Sequence, residues 1–416
     1  MQDSIPAYLE ALEHEIDYYK TELGEQDIKT IYFGGGTPNI IGFEGIQRII
    51  QKIQETEPRS TTRRNVENLA ELSLEFNPYP MDQIYDLIKR LNKEYKQFPR
   101  IRFSFGIQSL DDAVLKRAGR PYNFVGMTQF LRGLRDLKQE NNVFNFDFIA
   151  FGKFKPNGKL RDDTRINFFT KFVQSQFAES FSLYTLELHE NSKWYNELAR
   201  HSEQSEGIHP NTEIASLRSQ GHDNDELIMK EFEILKKKIS NFGYQRYEIS
   251  NFCRRGCASI HNMVYRNMEN YLGLGVSASS FIVCHPKVCH SEQSEEYNKP
   301  NISFDSLRMT QLAHAMRRTN TNSLETYLKG ERKDDSSVIS LNEKDILIES
   351  FFLKLRTAEG ISDISKYKDC LIVNYGLLIA DFVKAGLVNF DGTKLSLTDS
   401  GMDVSNSIIT DVLKNL

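Results

Sequence analysis

Cysteine is scarce in this chain: Cys253, Cys257, Cys284, Cys289 and Cys370 are the five among 416 residues, and the N-terminal half has none. A secreted disulfide framework needs a denser set, so reduced thiols are expected. No apolar run is long enough to cross a membrane. The start, Met1-Gln2-Asp3-Ser4-Ile5, has no basic segment leading into an apolar one. Together these absences predict a cytoplasmic protein without a signal peptide or membrane span. No stretch is dense in Lys and Arg, and the formal net charge is −5. A nucleic-acid backbone, which demands clustered cations, is therefore excluded as the main partner. What the chain does have is 39% hydrophobic residues, ample for a buried core and incompatible with disorder throughout.

Short β-rich runs recur at Thr30–Phe33, Leu72–Phe76, Ile101–Phe105, Phe144–Ile149, Ser182–Leu186 and Gln245–Ile249. Segments with apolar residues three and four apart lie between them: Gly45–Ile53, Met81–Tyr95, Met127–Lys138 and Leu227–Phe242. The alternation predicts an α/β fold, a parallel sheet or barrel with crossover helices. The first element differs, because Ile5–Tyr19 places Leu9, Leu12, Ile16 and Tyr19 on one helical face ahead of any strand. A βα unit thus lacks its strand, and Thr30–Phe33 is expected to keep an unpaired edge. A truncated chain or a mis-assigned start is the expected cause.

The expected organisation is a partial barrel over 1–280 with an insert at about 200–225, an insert loop at 281–305 and a helical, winged-helix-like domain over 306–416. The late hairpin of that domain runs from Gly386-Leu387-Val388-Asn389-Phe390 to Lys394-Leu395-Ser396-Leu397-Thr398. Without a concentrated basic face it reads as a lid or protein contact rather than a DNA reader. Both inserts carry His-Ser-Glu-Gln-Ser-Glu, at His201–Glu206 and His290–Glu295, and read as surface loops. Cys284-His285 and Cys289-His290 border the second. With no further ligand pair, no metal site is expected there.

Two features could carry chemistry. Gly34-Gly35-Gly36-Thr37-Pro38 directly follows the strand Ile31-Tyr32-Phe33. Consecutive glycines let a small polar ligand reach backbone amides, although a tight strand-to-helix turn explains them equally well. A P-loop is disfavoured because no Gly-Lys-Ser/Thr follows. Polar residues also gather at the C-terminal ends of successive strands: Glu75 and Asn77, Gln108, Asn145 and Asp147, and Glu187. Any one of them alone reads as a strand-end hydrogen bond; the set reads as a shared pocket at the end where barrel active sites form.

These residues, in order, resemble a family. Ile31–Ile40, Glu75-Phe76-Asn77-Pro78, Ser104-Phe105-Gly106-Ile107-Gln108-Ser109 with Gly119-Arg120, and Asn145-Phe146-Asp147 are similar to the radical S-adenosylmethionine heme chaperones and oxygen-independent coproporphyrinogen III oxidases. The resemblance continues through Ser182-Leu183-Tyr184-Thr185-Leu186-Glu187, Tyr247–Phe252, His261-Asn262 with Tyr265, Tyr271–Gly275, Leu355-Arg356, Gly360-Ile361 and Leu397-Thr398 with Gly401. It implies a partial TIM-like (β/α)6 barrel lacking its first strand. It further implies that Gly35, Gly36 and Thr37 hold the methionyl end of S-adenosyl-L-methionine, while Glu75, Gln108, Arg120 and Asp147 contact its polar groups. His261, in the motif that separates the chaperones from the oxidases, is implied in heme binding, and imidazole is a natural axial ligand of heme iron.

Three departures bear on this. The family has Trp where this chain has Arg266. The usual Gly-Leu-Pro turn after the Asp147 strand reads Gly152-Lys153-Phe154. The family's C-x3-C-x2-C loop, which holds three irons of a [4Fe–4S] cluster, has no counterpart here, and Cys253 and Cys257 follow the last strand instead. A cluster is thus expected only if a missing N-terminal segment supplies it, and no catalytic residue is assigned in the chain as it stands. The expected function is a heme chaperone that passes heme to an unidentified acceptor protein. The alternatives are a coproporphyrinogen oxidase, which His261-Asn262 argues against, and a degenerate binding protein without a cluster.

Overall fold

A computed structural model describes residues 4–23, 27–55, 69–151, 163–187, 210–284, 314–330 and 337–413. Both hexapeptides, the 281–305 loop beyond Cys284, part of the 200–225 insert and the Gly152-Lys153-Phe154 turn lie outside these residues.

Helix α1 (Ile5–Leu23) precedes β1 (Thr30–Phe33). Helices α2 (Gly42–Gln54), α3 (Met81–Glu94), α4 (Asp112–Arg117), α5 (Phe124–Arg135), α6 (Asp163–Gln174) and α7 (Pro210–Asn241) then alternate with strands β2 (Glu71–Phe76), β3 (Ile101–Gln108), β4 (Asn142–Ala150) and β5 (Ser180–Thr185). Strands β1 to β5 are parallel neighbours in sequence order, as expected, and β1 is the edge strand among the described residues.

The far end of the sheet departs from expectation. Only Gln245–Arg246 (β6) of the sixth run is a strand, and it joins the sheet through β7 (Asn251–Cys253), which pairs antiparallel with both β5 and β6. The chain turns back at Glu248–Ser250 because the Glu248 carboxylate accepts from the Ser250 amide at 3.0 Å, folding the run on itself.

Strand residues alternate strictly, and the alternation decides where a site can form. One face presents Leu72, Leu74, Phe76, Phe103, Phe105, Phe144, Phe146, Phe148 and Phe181 to the helices, in a single buried cluster. Rings there meet edge to face: Phe105 and Phe144 at 5.6 Å and 86°, Phe146 and Phe172 at 5.0 Å and 84°. The other face is polar. Glu75, Ser104, Asn145 and Ser180 are register partners across four strands, with Asp147 and Ser182 as the next pair. A parallel sheet buried on both faces would read as continuous apolar runs; this one alternates because its inner face lines a polar space.

Helix α8 (Ile260–Arg266) packs against β1 and β2 at that inner face. Its entry is fixed by Glu71, which is wholly buried. The Glu71 carboxylate accepts from the Ser259 hydroxyl at 3.0 Å and from the Ile260 and His261 amides at 3.1 and 3.2 Å.

Beyond α8, β8 (Ser279–Cys284) pairs antiparallel with β9 (His314–Thr319), which pairs with β10 (Ser337–Leu341). The boundary expected at 280/281 therefore cuts a strand: residues 281–284 belong to a sheet, not a loop. Helix α9 (Leu324–Leu328) is tied to α1 through Glu15. The C-terminal part consists of α10 (Glu343–Leu355), a 3₁₀ turn at Ile364–Cys370, α11 (Tyr375–Lys384), the hairpin β11 (Val388–Phe390) and β12 (Leu395–Leu397), then α12 (Asp399–Asp403) and α13 (Ser405–Val412). It has its own core around Phe351, Tyr367, Ile379 and Ile409. The helices and the hairpin are as the sequence predicts.

Candidate ligand-binding site

The inner face of the sheet and α8 enclose a polar cavity of about 60 Å³, lined among others by Tyr32, Glu75, Ser104, Asn145, Asp147 and Asn262. At its open end Gly35 and Gly36 have φ of +78° and +107°, and a Cβ on either would meet nothing within 4 Å. The loop is therefore an exposed cradle that glycine alone enters without strain. The Gly35 amide donates to Glu75 Oε2 at 3.2 Å, and the Tyr32 hydroxyl donates to Glu75 Oε1. Thr37 is exposed and its side chain caps nothing.

Arg120 reaches Asn77 Oδ1 at 3.5 Å with Nη1, while its Nε is buried without a partner. Among the described residues no carboxylate pairs with it, so the structural salt bridge that would explain an isolated arginine is missing. Gln108 ends β3 at a register shift and has φ of +66°. A non-glycine residue in that region is strained by about 1 kcal/mol or more, and such strain concentrates at functional sites.

Asp147 accepts from Asn145 Nδ2 at 2.7 Å and from the Ser104 hydroxyl at 3.1 Å. Burial raises its carboxyl above the ordinary aspartate range, against the hydrogen bonds from Ser182 and Ser104. Asn145 Oδ1 is buried without a partner at the same cavity. Glu187 is exposed and touches none of this.

His261 lies one layer deeper. Its Nδ1 is 2.7 Å from Thr30 Oγ1, its Nε2 is 2.7 Å from the Tyr265 hydroxyl, and its ring stacks on Tyr32 at 4.7 Å and 10°. Tyr32 thereby joins the two halves of the site, with its ring under His261 and its hydroxyl on Glu75. Sequence reading missed it, although its place one residue before the glycine loop's strand end was a usable signal. Arg266, where the resemblance calls for Trp, donates to buried Glu248 at 2.5 Å. That carboxylate also takes a bond from Asn251 Nδ2 at 2.5 Å, so an aromatic at 266 would leave it without a cation.

Burial pushes His261 down to about 4, with Glu71 partly opposing. The imidazole is therefore neutral when folded, whereas the unfolded chain titrates it at about 6.5. Between these values the unfolded state binds more protons. The His261 contribution to stability is full above about pH 6.5 and falls by about 3 kcal/mol as pH drops toward 4. Urea unfolding at about pH 7.5 and 4.5 should show a steeper loss for wild type than for His261→Gln; equal losses would refute this assignment.

Metal ligation has no counterpart here. Among the described residues no three His, Cys, Asp or Glu side chains converge to hold a metal. Cys253 lies buried in β7, Cys257 follows it, and Cys370 is buried in the C-terminal core.

Comparison with known proteins fits this arrangement. Residues 5–160 match the Radical SAM superfamily. The heme chaperone HemW of Lactococcus lactis is 25% identical over 410 residues, covering 97% of this chain and 88% of that protein. HemW of Bacillus subtilis is 24% identical over 414 residues, covering 97% and 90%. The solved structure of coproporphyrinogen III oxidase (HemN) from Escherichia coli, a radical SAM enzyme, superposes with a TM-score of 0.63 at 19% identity, covering 99% of this chain and 83% of that one. At that identity it supports the fold alone, a TIM-like radical SAM core. Residues 5–160 thus carry the radical SAM match, and nearly the whole chain is similar to the group that contains HemW and HemN.

Proposed function

We propose that this protein is a heme chaperone, binding heme beside α8 and handing it to an acceptor protein. The observation that carries this reading is the setting of His261. Nδ1 is bonded to Thr30 Oγ1 and Nε2 to the Tyr265 hydroxyl; in the tautomer protonated at Nδ1, Thr30 accepts from it and Nε2 offers a lone pair to iron in place of Tyr265. Binding exchanges the Tyr265 hydroxyl for iron at Nε2, while Thr30 and the stacked Tyr32 keep the ring in place.

The residues also fit S-adenosyl-L-methionine. The Gly35–Gly36 cradle admits its methionyl end, unpaired Arg120 suits its carboxylate, and Glu75, Asp147 and the unpartnered Asn145 Oδ1 suit its ammonium and hydroxyl groups. Cys253, Cys257 and Cys370 do not come together as cluster ligands, so no radical step is assigned to these residues.

The test is a heme titration followed by absorbance, with coproporphyrinogen as competitor. Saturable binding should be lost in His261→Ala and tightened by about tenfold in Tyr265→Phe, which frees Nε2. Preference for coproporphyrinogen over heme would favour an oxidase-like substrate site. Binding indifferent to both substitutions would refute the reading.

A further inference from the structure

At one point of the seam between the sheet and the C-terminal part, two arginines stand near a single buried carboxylate. The backbone stitches residues 247–249 to 356–358: Glu248 and Thr357 form an antiparallel bridge, the Ile249 amide donates to the Arg356 carbonyl at 3.1 Å, and the Ala358 amide to the Tyr247 carbonyl at 2.9 Å. Two guanidiniums consequently flank the Glu248 carboxylate. Arg266 takes one of its oxygens at 2.5 Å; the Ser250 amide and Asn251 Nδ2 occupy the other at 3.0 and 2.5 Å. Arg356 makes no hydrogen bond to Glu248 among the described residues.

Arg356 forms no ion pair among the described residues. Its guanidinium lies 3.8 Å over the Phe352 ring, one terminal nitrogen donates to Asn406 Oδ1, and its Nε is buried without a partner. Burial and the nearby Arg266 charge make the Arg356 cation less favourable, with Glu248 partly opposing, and lower it to about 10. Two cations beside one carboxylate make a place where an added anion relieves repulsion as well as gaining hydrogen bonds. The site is joined to the cavity: Glu248 holds Asn251, which takes a bond from Ser182 at 2.7 Å, and Asn262 and Arg266 stand one turn apart on α8.

We infer that Arg356, with Arg266 beside it, is a carboxylate subsite that receives a propionate arm of the tetrapyrrole. The inference rests on the heme reading above and adds to it the group that fixes the orientation of the macrocycle. Arg266 is committed to Glu248 and sets the field; Arg356 is the donor with capacity to spare. The arginine at 266 then has a positive role in a chain whose relatives are expected to carry tryptophan there.

The experiment compares binding of heme and of heme dimethyl ester, whose propionates are esterified, to wild type and Arg356→Gln. Arg266 is left unchanged, because its removal would strand buried Glu248. Wild type should bind heme about tenfold more tightly than the ester, the difference of one charge-assisted hydrogen bond. Arg356→Gln should bind the two within about twofold, with its affinity for the ester unchanged from wild type. Full discrimination retained in Arg356→Gln would overturn the subsite while leaving the heme reading intact. A parallel loss of both ligands would also overturn it, marking Arg356 as structural, and urea unfolding of the variant would show the same loss. Failure of wild type to bind either ligand would overturn the heme reading and this inference with it.

Discussion

Glu71→Ala is expected to lower folding stability by about 3–5 kcal/mol, read as a shift in the urea midpoint. The side chain is completely buried, and its two oxygens serve Ser259, Ile260, His261 and Ser73, with Arg100 at 3.5 Å as its one ion-pair partner among the described residues. Deleting it leaves two amides and two hydroxyls without acceptors inside the protein, each costing about 1–3 kcal/mol before the surroundings relax. The effect has a direction as well as a size. Those donors are the start of α8, so the helix loses the contact that sets the height of His261 against Thr30. Glu71→Gln keeps the shape and one acceptor oxygen, and should lose about half as much. A midpoint shift in Glu71→Ala equivalent to less than about 1 kcal/mol would show that α8 is held by packing instead.

Glu15→Ala should cost a similar amount, about 3–5 kcal/mol, by a different route. Glu15 is 1% exposed and has no cation partner among the described residues. Its carboxylate accepts from the Gly275 amide at 2.9 Å, Asn320 Nδ2 at 2.8 Å and the Tyr327 hydroxyl at 2.6 Å. The partners lie about 260 to 312 residues away in sequence. One side chain thus closes the first helix onto the segment after β9. Gly275 adds a steric part: a Cβ there would sit 2.4 Å from the Tyr8 hydroxyl. If limited proteolysis of Glu15→Ala cuts no faster than wild type anywhere in 314–330, the closure does not depend on this carboxylate.

The parallel core was legible because its signals are local. β-rich runs alternating with amphipathic segments placed β1 to β5 and α1, α2, α3 and α5 to within a few residues, whereas α4 and α6 were not read, and the ordered motifs gave the family resemblance. The sixth strand was not legible, since Gln245–Ile249 has strand composition while the turn that breaks it comes from a buried Glu248 bonding back to its own neighbours. The 280/281 boundary failed for a related reason: β8 finds its partner 35 residues later, at Ser279 and Thr319 outermost and Cys284 and His314 innermost, across a polar stretch that reads as an insert. Pairing over such a gap leaves no periodicity in a short window.

Of the site, Glu75, Asn145 and Asp147 line the cavity together, but their relations were not readable. The deeper signal was the strand alternation itself. Glu71, Ser73 and Glu75, then Arg102 and Ser104, then Asn145 and Asp147 repeat every second residue, which marks a polar inner face before any family is considered. Arg120 was readable as a candidate and not as an unpaired cation, because the absence of a carboxylate beside it is a three-dimensional fact. His261 was readable as a motif residue, but its commitment at both nitrogens was not.

Tyr32 makes the two halves of the site one thermodynamic unit. Its hydroxyl competes for the same Glu75 carboxylate that faces the glycine cradle, and its ring is the floor on which His261 rests. A ligand that claims Glu75 must change what Tyr32 bonds to, and therefore the free energy of any ligand held at His261. By linkage the influence runs equally in reverse: whatever factor one occupant imposes on the other's affinity, it receives back. Tyr32 is the one side chain through which both effects would have to pass among the described contacts.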